Sequence, residues 1–318
     1  MYNIDKNLNI NIFFIITYIM TVLTRLKKEL SEKYKKNINE LIPKNDVEAW
    51  SLYPKYNFLY NKMFICKHEN IKYAPMPIKP QKFPIVIKPI INLLGMGNNA
   101  IKIDNIHDFA KHYDNSHFWC EYLEGVHLSW DLVIRDGQIK IIFCFRGYKN
   151  NFGCFNYWRS YKKAPKLPNG IIKLIEKYLF DYTGYLNIET INNKIIEVHL
   201  RMGDIDQIPE DKLRLVLLNV IDKNIDIKNE INLIQNIYLF PIWQEINKES
   251  NLNEIYNYLK KEWEDKIIED KNITHYYFDE PLHSHPMNVK RWFLITTNNY
   301  KKGMKIKKNI ENDLINKF

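Results

Sequence analysis

Residues 185–204, YLNIETINNKIIEVHLRMGD, carry the side chains best placed to do chemistry. Apolar and polar residues alternate along two arms joined by a turn at Asn192-Asn193-Lys194, the period-two signature of half-buried strands. In the first arm Leu186, Ile188 and Thr190 face one way, and Asn187 and Glu189 the other. In the second arm Ile196, Val198 and Leu200 share a face, and Glu197, His199 and Arg201 share the opposite one. A three-residue loop pairs Glu189 with Glu197 and Asn187 with His199. Directly opposed carboxylates have Cβ atoms about 5 Å apart and repel one another. A cation between them is the simplest reason to build such a pair. Mg²⁺ is commonly held by one or two carboxylates plus phosphate oxygens, and Arg201 points at the same anion. A plain solvated sheet face is the alternative, and this stretch alone does not separate the two.

Other elements must bring partners to that hairpin. A helix is expected over residues 56–68, with Lys62 in its middle and Asp46 capping a shorter helix before it. A short buried strand, residues 83–88, ends at Lys88-Pro89, and a lysine closing an apolar strand needs an anionic partner. Leu94-Gly95-Met96-Gly97-Asn98-Asn99 follows, a turn whose backbone N–H groups can converge on a phosphate. A strand over 101–103 and a short helix capped by Asn105 come next. Residues 118–123 and 126–134 read as strands, Asp136-Gly137 as a hairpin turn, and 138–145 as the returning strand. Residues 146–160 read as a loop or irregular strand, in which Trp158-Arg159 is a candidate acceptor wall. A helix over 171–180 leads into the hairpin. Beyond it, helices are expected over 209–220, 251–267 and 301–318, and strands over 238–243, 274–278 and 291–296. Asp131 and Asp204 are further polar candidates, Asp204 as a holder of Arg201. His283 and His285 have metal-like spacing but no third ligand near them in sequence.

A chain of 318 residues can bury a large core, and its 46% hydrophobic and 26% charged content is that of a globular protein. The net charge of +9 favours anionic ligands. The charge is spread, and no aromatic RNA-binding motif, zinc-finger spacing or long basic run accompanies it, so nucleic acid is not the expected partner. Cys66, Cys120, Cys144 and Cys154 form no CxxC pair, which argues against structural zinc and for a reducing, cytoplasmic setting. The apolar run 12–23 falls short of the roughly 20 residues of a membrane span, and no small-residue cleavage site follows it. A packed N-terminal helix is expected, with membrane contact as the alternative.

Taken in order, these residues resemble the ATP-grasp superfamily. Lys62 on a helix is followed by the strand-end Lys88 in Ile85-Val86-Ile87-Lys88-Pro89, then by the glycine loop. Glu121-Tyr122-Leu123-Glu124-Gly125 runs into His127, and Glu197-x-His199-x-Arg201 closes the series. The match spans about residues 55–205. It implies an α+β fold, an ATP-grasp core of two α+β subdomains with antiparallel sheets over 55–117 and 118–205. An N-terminal helical region, 1–54, precedes the core, and a C-terminal α/β extension, 206–318, of no recognised role follows it.

The resemblance also implies roles. Lys62 and Lys88 would hold ATP phosphates, under a loop of Gly95, Met96, Gly97 and Asn98. The backbone of Glu121, Tyr122 and Leu123 would pair with adenine. His127 falls where most members carry a ribose-binding glutamate. Glu189 and Glu197 would bind Mg²⁺, with Asn187 and His199 beside them and Mn²⁺ as the alternative ion. Arg201, with Lys88, would stabilise the transferred phosphoryl group. Two departures stand out: the usual final motif is Glu-x-Asn, where this chain has His199, and the first metal carboxylate is expected at Asn187. The implied activity is an ATP- and divalent-metal-dependent ligase that activates a carboxylate as an acyl phosphate and joins it to an amine. A small-molecule kinase or a non-catalytic nucleotide binder on the same scaffold are the alternatives. The second substrate is expected to be an anionic small molecule or peptide, and the sequence sets no oligomeric state.

Overall fold

Two consecutive caps set the start of the described chain. Asn45 accepts from the Glu48 N–H at 2.9 Å and caps helix α1, Asp46–Leu52. Asp46 is therefore the first helical residue, not the cap. Pro54 opens a 3-10 turn, Pro54–Tyr60, and Asn61 stops it by accepting from the N–H groups of Met63 and Phe64. The helix expected over 56–68 is thus broken, and Lys62 opens the second helix, α2 (Lys62–His68), from a buried position.

The structure is a computed structural model and describes residues 43, 45–93, 97, 100–112, 114–149, 154–204, 236–247, 250–279 and 289–318. The apolar run 12–23, the helix expected over 209–220, Gly95, Met96, Asn98, and the His283/His285 pair lie outside them. Among the described residues no helix is long and apolar enough to cross a membrane.

A four-stranded antiparallel sheet comprises β1 (Tyr73–Pro75), β2 (Ile85–Pro89), β3 (Ile101–Ile103) and β4 (His117–Glu121), in the order β1-β4-β2-β3. Alternation divides its faces. Ile85, Ile87, Ile103 and Trp119 pack with Phe109 of the short helix α3, Ile106–Phe109. Val86, Phe118 and Cys120 pack toward Cys66 of α2.

The second sheet has eight strands: β5 (His127–Arg135), β6 (Gln138–Lys149), β7 (Phe155–Ser160), β8 (Gly184–Ile191), β9 (Lys194–His199), β10 (Tyr238–Glu245), β11 (Ile273–Phe278) and β12 (Val289–Thr297). Their order is β11-β12-β10-β7-β6-β5-β8-β9, antiparallel throughout. Residues 146–160, expected as a loop or irregular strand, supply the end of β6, with a register shift at Tyr148/Lys149, and all of β7. Gly147 lets this happen, because a Cβ there would lie 2.5 Å from the Phe155 ring that packs over it. The pairing Tyr238↔Arg159 carries the sheet past residue 205, so strands of the C-terminal extension continue the sheet of the core.

One face of the large sheet is covered by helices in two patches. Trp130, Leu132, Leu186, Ile188 and Val198 pack against Ile171, Leu174 and Ile175 of α4, Asn169–Tyr178. Phe240, Ile242, Phe293 and Ile295 pack against α5 (Leu252–Glu269) and α6 (Tyr300–Lys317). The other face is left to polar residues and, with the small sheet, bounds a cavity.

Asp136 and Gly137 form the expected turn, with φ of 50° and 71°. A Cβ on Gly137 would lie 2.2 Å from the Phe180 carbonyl oxygen. Gly137→Ala is expected to cost about 2 kcal/mol or more, read as a lowered urea midpoint with an unchanged slope.

Candidate functional site

The opening hairpin is present, reached by a different turn. Asn192 and Asn193 both adopt left-handed φ values, 49° and 65°, the signature of a two-residue turn that pairs Ile191 with Lys194 and Thr190 with Ile195. A bulge then absorbs Ile196, and Glu189 stands opposite Glu197, Asn187 opposite His199. The bulge changes which isoleucine is core. Ile195 is buried beside Val198 and Leu200, whereas Ile196 lines the cavity. It also leaves the Ile196 carbonyl free to accept from the Lys88 ammonium at 3.4 Å.

The cavity, about 580 Å³, is bounded by both sheets and α2. Lys62, Lys88, Gly97, Glu121, Tyr122, Leu123, His127, Asn187, Glu189, Glu197, His199 and Arg201 all line it. The opposed carboxylates are balanced by the chain itself. The Lys62 ammonium lies 2.8 Å from Glu197 Oε1, and His127 Nε2 lies 2.8 Å from Glu189 Oε2. Burial pushes the Glu197 carboxyl up, but Lys62, His199 and Lys88 outweigh it and hold it at about 2. Glu189 is pushed up by burial and lowered more by His127.

The next rung is fixed from behind by a residue the sequence reading did not place there. Asp46 is 2% exposed, and both its oxygens lie 3.0 Å from His199 Nδ1. It also accepts from Arg201 at 2.9 Å and from the Tyr60 hydroxyl at 3.2 Å. Burial pushes Asp46 up, yet His199 and Arg201 hold it well below the usual carboxylate range. An ionised carboxylate only accepts, so Nδ1 carries the proton. The other ring nitrogen, Nε2, lies 3.8 Å from Glu197 Oε1. Asp204, expected on Arg201, pairs instead with Arg291 at 2.8 Å, and Asp279 grips the same guanidinium at 2.6 and 2.9 Å. Arg291 and Asp204 both reach the cavity wall. Of the suggested acceptor pair, Trp158 lines the cavity and Arg159 lies on the opposite face.

Asn187 donates to Ser129 Oγ at 2.8 Å and to Asp131 Oδ1 at 2.9 Å, while the Gly203 N–H donates to the same Asp131 oxygen at 2.6 Å. Burial raises the Asp131 carboxyl to about 6 despite these donors. A folded value above the ordinary 3.8 means that stability is lost as pH rises from about 4 through 6. Asp131→Asn is therefore expected to stabilise the protein at pH 8 by about 3 kcal/mol and to remove that slope, as read from urea midpoints between pH 4 and 8. An unchanged slope in the variant would assign it to another group.

Among the described residues no three His, Cys, Asp or Glu side chains stand together as a ready metal cage. Mg²⁺ needs no such cage, since it is bound by one or two carboxylates plus phosphates and water. Glu189 and Glu197 supply that pair. Glu197 Oε1 is buried, and its approach to Lys62 lacks the alignment of a hydrogen bond, so a donor oxygen stands ready. The residues fit a divalent ion that completes its shell with oxygens from outside the chain.

A small and a large antiparallel sheet clasping such a cavity define the ATP-grasp fold, and this chain has it. The crystal structure of L-amino acid ligase from Bacillus licheniformis matches 84% of this chain and 75% of its own, at TM-score 0.52 and 10% identity. That of N5-carboxyaminoimidazole synthase from Aspergillus clavatus, in complex with ADP and 5-aminoimidazole ribonucleotide, matches 82% of this chain and 75% of its own, at 0.52 and 9%. N5-carboxyaminoimidazole synthetase from Staphylococcus aureus, complexed with ADP, matches 85% and 78%, at 0.51 and 11%. No protein-family model and no curated protein matches the sequence.

Proposed function

We propose that the chain is an ATP- and divalent-metal-dependent ligase that activates a carboxylate as an acyl phosphate and joins it to an amine. The observation that carries this reading is the convergence of Lys62, Lys88 and Arg201 with the opposed Glu189 and Glu197 on one cavity between the sheets. Phosphoryl transfer is mostly positioning and charge neutralisation, and these are the groups it needs. The neighbours crystallised with ADP support a nucleotide in that place.

In this reading the two subdomains, 55–117 and 118–205, enclose the nucleotide. Adenine lies against Glu121–Leu123. The N–H groups of Glu121 and Tyr122 are spent on the carbonyls of Lys72 and Pro84, whereas that of Leu123 has no backbone acceptor among the described residues and is free for a ring nitrogen. His127 meets the ribose. Lys88 holds phosphate, and Lys62 exchanges Glu197 for a phosphate oxygen as the nucleotide enters. Glu189 and Glu197, with Asn187 and His199 on the next rung, hold Mg²⁺ or Mn²⁺, which neutralises phosphate charge. Asp46 keeps Arg201 and His199 aimed at the transferred group. The buried free cysteines suit a reducing compartment.

The test is a thermal-shift titration of ATP with and without Mg²⁺ or Mn²⁺, followed by ADP release across carboxylate and amine pairs. A ligand selective for the folded state raises the melting temperature by mass action. Nucleotide-dependent stabilisation lost in Lys88→Ala is expected; no shift with any nucleotide would remove the reading. ADP formed with a carboxylate alone, as a stable phosphorylated product, would make it a kinase.

A further inference from the structure

Two rungs of the large sheet oppose like charges. On the cavity face Glu189 stands opposite Glu197; Lys62 pairs with Glu197 and the His127 ring lies 2.8 Å from Glu189. On the other face Arg146 of β6 stands opposite Arg159 of β7. The register fixes that face: Arg146 is paired with Leu128, a member of the helix-covered core, while its neighbours Phe145 and Trp158 line the cavity. Among the described residues no carboxylate pairs with either arginine. Arg146 is half-buried and Arg159 is exposed.

Both guanidiniums are braced by tyrosine rings. Arg146 lies 4.9 Å from the Tyr148 ring centre, and Arg159 lies 5.7 Å from that of Tyr238. Tyr148 and Tyr157 stack at 4.4 Å and 13° on the next rung. Stacking on a ring uses the face of a guanidinium and leaves its N–H edges for a ligand. Directly opposed positions are about 5 Å apart at Cβ, so two forks can reach one tetrahedral anion. The like-charge rung with no counter-ion among the described residues is the one built from residues with phosphate-matching geometry.

We propose that Arg146 and Arg159 form a phosphate-binding site on the face of the large sheet opposite the cavity, and that its ligand is a small soluble phosphate dianion. The flanking positions set the size. Tyr148 and Tyr157 on one side, and Cys144 with Tyr161 on the other, add no further cation along that face. A polynucleotide is held through a track of cations on successive phosphates, whereas one arginine rung neutralises one phosphate.

The test uses the full chain and inorganic phosphate, with chloride at matched ionic strength as the reference. Melting temperature is titrated in the wild type, Arg146→Gln, Arg159→Gln and Lys88→Ala. Phosphate is expected to stabilise the wild type and Lys88→Ala alike. Each arginine substitution is expected to raise the half-saturating concentration by about tenfold or more, the loss of a charged hydrogen-bond donor. A phosphate response that survives both arginine substitutions, or that disappears in Lys88→Ala alone, would overturn the site. A wild type indifferent to phosphate would overturn it too. A single-stranded thymidine oligonucleotide that binds through the same arginines more tightly than phosphate would overturn the small-ligand assignment.

Discussion

Glu197→Ala is expected to cost about 3 kcal/mol of stability and to abolish the response to ATP. Lys62 is 5% exposed, and the carboxylate 2.8 Å away is its only ion-pair partner among the described residues. Removing one member of a buried pair leaves an uncompensated charge, which costs about 3–5 kcal/mol; we take the low end because the pair borders a cavity. An independent route gives a similar size. The Glu197 carboxyl falls from the ordinary 4.5 to about 2 on folding, which is about 3 kcal/mol of linked stability. The sign is that of a depressed acid: the contribution is complete above pH 4.5 and is lost as pH falls toward 2. In a chain of this size the neutral-pH loss corresponds to a melting temperature lower by roughly 4–5 °C. Lys62→Met combined with Glu197→Leu should recover most of the stability, since an apolar pair can replace a buried ionic one. It should recover none of the ATP-dependent shift. If the double variant regained nucleotide stabilisation, these two residues would have no part in binding.

Asp46→Asn is expected to have the second large effect, from a residue behind the cavity wall. The carboxylate takes His199 Nδ1, the Arg201 guanidinium and the Tyr60 hydroxyl together. An amide offers one acceptor and brings two donors toward groups that already donate, so the network cannot be satisfied. The cost is expected to be about 3 kcal/mol near neutral pH; a depressed carboxyl contributes its stability above the ordinary carboxylate range and loses it as pH falls below that range, so the difference between variant and wild type should shrink in acid. The informative readout is the His199 imidazole. With Asp46 in place its Nδ1 stays protonated, and in the variant its nitrogen chemical shifts should move toward a mixture of tautomers. ATP affinity should fall less than in Glu197→Ala, because Asp46 acts by holding Arg201 and His199. Unmoved His199 shifts would show that the ring is positioned by something else.

The sequence alone determined the parts of this site that depend on local rules. Alternation is a nearest-neighbour property, so the faces of β8 were legible from residues 185–204; the pairing of Glu189 with Glu197 and Asn187 with His199 was expected through a three-residue loop and is reached instead by a two-residue turn and a bulge whose offsets cancel. The strand-end Lys88 and the Asp136-Gly137 turn were legible for the same reason. Tertiary structure decided the rest. Whether Ile195 or Ile196 joins the core depends on a bulge, and a bulge depends on what each neighbouring strand presents. The cation between the opposed glutamates could not be assigned from the hairpin, because Lys62 and His127 arrive from a helix and another strand. Asp46 lies 153 residues from His199 in the chain, and no local signal distinguishes a buried anchor from a helix cap. The course of 146–160 turned on Gly147 yielding space to rings eight and eleven positions ahead. Charges and hydrogen-bonding groups act through space over a few ångströms, so which of them meet is settled by how the sheets and helices pack.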